Sequence, residues 1–210
     1  MILPHLDREI FHWAEGRQVV VGIDEAGRGP LAGPVVAAAV VVRPEIIDRM
    51  KITSEWKLVR DSKMLSPKQR EKAYGFVTQN FEWGIGISDE KTIDRVNILQ
   101  ATFLAMKKAM SGLKRKNGRE IEFILIDGNS LIPNMTIAQE SIVNGDRHIF
   151  SIAAASIVAK VARDRMMLEF HQKYPQYGFD RHKGYGTREH RDAIKKYGLC
   201  SIHRNSFKLI

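Results

Sequence analysis

Short β-branched apolar runs and longer segments of helical spacing share this chain. Gln18-Val19-Val20-Val21-Gly22-Ile23-Asp24 is apolar up to an abrupt acidic end, which predicts a buried strand delivering Asp24 to a site. A Gly-Arg-Gly-Pro turn follows. Gly33 and Pro34 then lead into a second run, Val35 to Val42, which predicts an antiparallel return and a central hairpin. Ser66-Pro67, an N-cap and first-turn pair, opens a surface helix over 66–80. Trp83 to Ile87 alternates large and small residues as a third strand does, and residues 92–116 place Ile93, Val96, Leu99, Ala101, Phe103 and Met106 at helical spacing. The basic runs Lys107-Lys108 and Lys114-Arg115-Lys116 read as a solvated helix end.

Ile121 to Asn129 repeats the first design: a branched and aromatic strand, an acid at its end (Asp127), then glycine. A long helix is expected from His148 to about Lys173, with Ser156, Lys160 and Asp164 spaced four apart on one stripe. Pro175 ends it, Gly178 to Gly186 forms a loop, and a last helix runs from about Arg188 to Tyr197. This order predicts an α/β fold, a mixed central sheet flanked by helices. It fits a single domain over 1–210, with about 175–210 as a C-terminal helical appendage.

Charge sharpens the picture. Thirty-three Lys and Arg against 24 Asp and Glu give a net charge of +9, and such a surface attracts polyanions, with nucleic acid first among them. The lone cysteine, Cys200, rules out an internal disulfide and a cysteine-rich zinc site, and suits a reducing compartment. No apolar stretch reaches the length of a membrane span and the N-terminus lacks the form of a signal peptide, so a soluble cytoplasmic protein is expected.

Hard divalent cations such as Mg²⁺ take oxygen ligands, and two-metal phosphodiester hydrolysis needs several converging carboxylates. Asp24 and Glu25 are adjacent on a strand and so point to opposite faces. They share a site only if the chain turns there, as Gly27 and Gly29 suggest. Asp127 joins from a neighbouring strand in this reading, and Asp164 from the helix stripe. The pattern alone reaches a metal-dependent phosphoryl-transfer site and leaves the reaction open.

The stretch Gly22-Ile23-Asp24-Glu25-Ala26-Gly27-Arg28-Gly29-Pro30-Leu31-Ala32-Gly33-Pro34-Val35 resembles the signature of bacterial ribonuclease HII. The likeness continues through Asp61-Ser62-Lys63, Ile126-Asp127-Gly128-Asn129, Ser156 to Asp164, His182 to Thr187 and His203 to Phe207, nearly the whole chain in the family's order. It implies an RNase H-like fold and an endonuclease that cuts on the 5′ side of a ribonucleotide, in RNA/DNA hybrids or in duplex DNA, leaving a 3′-hydroxyl and a 5′-phosphate. Ribonucleotide excision and RNA primer removal are the implied roles. Asp24, Glu25, Asp127 and Asp164 are the implied catalytic and metal-binding acids, with Mg²⁺ or Mn²⁺, two ions in the substrate complex. Gly27, Arg28 and Gly29 are implied to read the ribose 2′-hydroxyl, Tyr185 to sense the RNA-to-DNA junction, and Lys63 and Lys160 to hold flanking phosphates. Met64 departs from the pattern, standing where a second lysine often follows.

The sister type, ribonuclease HIII, usually bears an extra N-terminal domain, whereas here only about 17 residues precede the first strand; the intact Gly27-Arg28-Gly29 also favours the HII type. A catalytically inactive hybrid-binding protein would share charge and fold, but all four acids stand. His182, His190 and His203 show no i, i+4 metal pair. No obligate protein partner is expected and no clamp-binding peptide is evident, which leaves a monomer acting on RNA/DNA duplexes.

Overall fold

The computed structural model describes residues 3–51, 53–113 and 120–208. The run Lys114-Arg115-Lys116 lies outside them. Five strands form one mixed sheet in the order β3-β2-β1-β4-β5: β1 (Val20–Ala26), β2 (Val35–Val42), β3 (Glu82–Ser88), β4 (Phe123–Asp127) and β5 (Ala138–Ile142). The expected hairpin is present, since β1 pairs antiparallel with β2 from Val20↔Val42 to Ala26↔Val36. β3 joins antiparallel to β2, while β4 and then β5 join in parallel on the other side. The helices are α1 (Asp7–Ala14), α2 (Pro44–Lys51), α3 (Pro67–Asn80), α4 (Glu90–Ser111), α5 (Gly145–His148), α6 (Phe150–Lys173), α7 (Phe179–His182) and α8 (Arg188–Tyr197).

Period-two alternation divides the core. Val35, Ala37, Ala39 and Val41 of β2, with Val21 and Ile23 of β1, face α4 and meet Ala101, Ala105, Met106 and Ala109. Ala38, Val40 and Val42 face α6 and α3, meeting Ala154, Ile157, Val158 and Val77. The small residues of β3 have the same origin. A Cβ on Gly86 would lie 2.0 Å from the Ala105 carbonyl oxygen, so α4 lies directly on the strand.

Helix starts follow local chemistry. Ser66 accepts from the Gln69 amide while the Gln69 side chain accepts from the Ser66 amide, a complete capping box at α3. Asp89 and Thr187 cap α4 and α8. α6 has no capping side chain of its own. Instead Glu9, from α1, accepts from the Ser151 amide at 2.8 Å, and a cap of this kind stabilises a helix by about 1 kcal/mol. The expected loop over 178–186 contains the one-turn α7, and the C-terminal region folds back onto the sheet end. Leu31 donates to the Gly184 carbonyl, Gly33 to Ile202, and Arg204 to Leu31.

Candidate active site

β1 stays paired with β2 through Ala26, so Asp24 and Glu25 do point to opposite faces, and the chain turns only at Gly27. The turn does not bring the two acids together. Their charges still act on one another just past the Ile23↔Ile126 pair, where β4 ceases to flank β1. Asp24 is 4% exposed on the α6 side, its Oδ1 accepting from the Glu25 amide at 2.7 Å. Burial drives its carboxyl well above the ordinary range, and the charges of Glu25 and Asp127 push it further. Burial also raises Glu25; Arg28, 3.3 Å from its Oε1, opposes that, while Asp127 adds to it.

β4 runs parallel to β1, which sets Asp127 one position beyond the Ile23↔Ile126 pair and beside Asp24. Its Oδ1 accepts from the Asp146 amide at 3.3 Å. Burial raises the Asp127 carboxyl, and Asp146 is the leading charge doing the same. Asp146 itself is 4% exposed, and its Oδ2 receives Lys63 Nζ at 3.2 Å. Close by, buried Asp61 accepts from the Lys63 amide at 3.0 Å and from Arg147 Nε at 3.3 Å. Burial works against the Lys63 charge, yet Asp146, Asp61 and Asp24 together raise its ammonium.

The fourth acid expected from the helix stripe is elsewhere. Asp164 pairs with Lys160 at 2.7 Å and with Arg70 at 3.6 Å. At 1.5 Å per residue, the eight residues from Ser156 to Asp164 cover about 12 Å of helix. Only the near end of the stripe reaches the strand-end acids: Ser156 hydrogen-bonds toward Asp24 and lies 3.0 Å from the Ser62 hydroxyl. Asp146 occupies the corner that the sequence reading gave to Asp164. The sequence pattern carries no signal for it, because Asp146 follows no apolar strand and sits in the one-turn helix α5 after Val143-Asn144.

Asp24, Glu25, Asp127 and Asp146 form an all-oxygen donor set that suits a hard divalent cation. Burial, with mutual repulsion adding to it, raises three of the four carboxyls, and the Lys63 ammonium already rests at Asp146, so positive charge fits there. Among the described residues, no three of these acids are yet drawn into one ligand shell.

Beside the acids opens a cleft of about 370 Å³. Glu25, Gly27, Arg28, Gly29, Ser62, Lys63, Ser156, Lys160, Arg163 and Tyr185 line it. Glu25 also borders a second recess, shared with Asp127 and Asn129. The structure thus gathers the turn, both lysines and Tyr185 around one opening. Gly27 has φ +99°, and a Cβ there would fall 2.1 Å from Arg163 Nε. Gly29 instead faces the Tyr185 ring, which a Cβ would meet at 3.7 Å. Burial lowers the Lys160 ammonium, against the pull of Asp164.

Two further groups went unassigned from sequence. Arg204 and Arg163 are 0% and 1% exposed and bind backbone carbonyls around the turn. Burial lowers them to about 9 and about 10, respectively. Arginine is rarely so buried, which is why the pattern gave no signal. The three histidines form a packed relay. His182 stacks on His190 at 4.6 Å, His190 Nε2 lies 3.1 Å from His203 Nε2, and His190 Nδ1 lies 2.9 Å from the Tyr185 carbonyl oxygen. Burial lowers all three, so they stay neutral near pH 7 and serve to hold the Tyr185 loop.

A family model described as Ribonuclease HII matches residues 21–210. Ribonuclease HII of Caldicellulosiruptor bescii is 50% identical over 194 residues, covering 92% of this chain and 88% of that protein. The ribonuclease H2 of Pyrococcus horikoshii OT3 superposes with a TM-score of 0.71 at 27% identity, covering 91% of this chain and 94% of that one. Bst-RNase HIII, solved in complex with Mn²⁺, shares the fold with a TM-score of 0.72 at 18% identity over 92% of this chain and 68% of that one. With its mixed sheet, strand-end acids and adjoining glycine-rich turn, this chain belongs to the ribonuclease HII family and is an endoribonuclease of the ribonuclease H type.

Proposed function

We propose that the cleft hydrolyses the phosphodiester on the 5′ side of a ribonucleotide, in RNA/DNA hybrids or embedded in duplex DNA, leaving a 3′-hydroxyl and a 5′-phosphate. One observation carries this reading: carboxylates from β1, β4 and α5 converge beside a glycine-arginine-glycine turn that a nucleic-acid backbone can approach closely. The net charge of +9 supports a polyanionic substrate.

Asp24, Glu25, Asp127 and Asp146 are the proposed holders of Mg²⁺ or Mn²⁺, Asp146 replacing Asp164. Bound there, the ions would supply Lewis-acid chemistry for the attacking water and the departing 3′ oxygen. The chain's own residues do the rest. Gly27, Arg28 and Gly29 bring backbone amides to the ribose, and Tyr185 packs its ring against the sugar beyond Gly29. Lys63 and Lys160 hold flanking phosphates as point charges, and Asp164 keeps Lys160 in place.

The test is cleavage mapping on a duplex carrying one ribonucleotide, with and without Mg²⁺. A single Mg²⁺-dependent cut with a 3′-hydroxyl end, immediately 5′ of the ribonucleotide, is expected. Cutting at deoxynucleotides alike, or undiminished cutting in chelator, would overturn the proposal.

A further inference from the structure

Arg204 and Arg163 are the largest side chains fully withdrawn from solvent, and neither meets a carboxylate within ion-pair distance among the described residues. Their donors go to backbone carbonyls. Arg204 gives Nη2 to Gly27 O at 2.6 Å, Nη1 to Arg28 O at 3.0 Å, and Nε and Nη2 to Gly33 O at 2.9 and 2.7 Å. A trans peptide sets each C=O opposite the N–H that follows it. Turning the Gly27 and Arg28 carbonyls inward onto Arg204 therefore turns the Arg28 and Gly29 amides outward. Neither amide donates to another protein group among the described residues.

Arg163 braces the same turn from below. It donates to Pro34 O at 3.0 Å, Ala32 O at 3.2 Å and Lys183 O at 3.0 Å, two residues before Tyr185. The two guanidinium groups thus hold three separate segments in one geometry, with positive charge behind the outward amides. A lysine could keep the charge but not the fork that fixes two peptide planes at once.

We infer that Arg204 is a positioning residue for sugar discrimination: its fork aims the Arg28 and Gly29 amides at the ribose 2′-hydroxyl, and Arg163 fixes their distance from Tyr185. The inference rests on the substrate proposed above.

The test uses the whole chain carrying Asp127→Asn, expected to bind without cutting, and compares its affinity for a duplex with one ribonucleotide against the all-DNA duplex. Adding Arg204→Lys is expected to lower that ratio about 10-fold or more, since misaimed amides lose the hydroxyl. All-DNA affinity and its salt slope stay unchanged, because the charge is kept. A folded Arg204→Lys variant with the parent's ratio overturns the inference alone. A parent that binds both duplexes alike overturns the substrate reading and the inference with it. If Arg204→Lys does not fold, Arg163→Lys carries the same comparison, and an unchanged ratio there overturns the inference.

Discussion

The Asp146 amide donates to Asp127 Oδ1 at 3.3 Å, so the acid that ends β4 and the acid within α5 share one hydrogen-bonded corner. Asp164 is tied to Lys160 and Arg70 instead. Asp146→Asn should therefore reduce nicking at a single ribonucleotide by at least about 100-fold with the fold intact, whereas Asp164→Asn costs about 10-fold or less through its hold on Lys160. Rates measured side by side decide it, and the reverse ranking would return Asp164 to the metal site.

The difference between these two acids shows what a sequence can convey. Asp24 and Asp127 announce themselves because each ends an apolar strand, and β2, α3 and α6 are legible from branching, a capping pair and a proline stop. Asp146 belongs to the corner only because parallel pairing of β4 and β5 brings α5 there. β5 itself, Ala138-Gln139-Glu140-Ser141-Ile142, lacks an apolar run because it is a partly exposed edge. α1 hides for the opposite reason. It buries Glu9 and His12 while exposing Ile10 and Phe11, inverting the usual amphipathic rule. The stripe Ser156-Lys160-Asp164 has the periodicity of α6, but periodicity says nothing of how far along the helix a site extends.

Burial and mutual repulsion raise the Asp24, Glu25 and Asp127 carboxyls, so a cation must displace protons to bind. Apparent Mn²⁺ affinity, followed calorimetrically, should tighten several-fold between pH 6 and pH 8 and release protons measurable by buffer ionisation heat. The sign follows from the direction of the shifts: raised carboxyls hold protons to higher pH, and each proton lost favours the ion. A pH-independent affinity over this range would show that the fold leaves these carboxyls ionised at pH 6. Asp127→Asn, with one repelling charge fewer, should abolish nicking without lowering the melting temperature in chelator.

The two glycines of the turn should fail differently. Gly27→Ala places a Cβ at φ +99° and 2.1 Å from Arg163 Nε, which should destabilise the fold by at least about 2 kcal/mol. Gly29→Ala meets only the Tyr185 ring at 3.7 Å and should melt like wild type while cleaving single ribonucleotides poorly. Thermal melts beside kcat/KM separate the two, and an active Gly29→Ala enzyme would remove this turn from sugar contact.

Tyr185 is 47% exposed and lies across the cleft from Gly29, so its ring is available to a substrate rather than committed to the core. Tyr185→Ala should lower kcat/KM at a single ribonucleotide about 10-fold or more, against little change for the similarly exposed Tyr197→Ala on α8, which does not line the cleft. Equal rates for the two variants would remove Tyr185 from the site.

The segment that carries Tyr185 also has a pH limit. His190 is fully buried, hydrogen-bonded to the Tyr185 carbonyl and to His203, and burial lowers it to about 4. An unfolded imidazole titrates near 6.5, so between those values the unfolded chain binds the extra proton. Folding stability from this group is complete above about pH 6.5 and is lost, by up to about 1.4 kcal/mol per pH unit, as pH falls toward 4. Glu9, which burial raises to about 7, has the opposite sign, its contribution falling as pH rises through the same window. A melting curve of wild type alone would mix the two. The difference between wild type and His190→Gln cancels Glu9. The variant should be less stable at pH 7.5, and the gap should narrow by at least about 1 kcal/mol at pH 5. A gap that stays constant with pH would mean that His190 is not held neutral by the fold, and that the Tyr185 loop owes its position to other bonds.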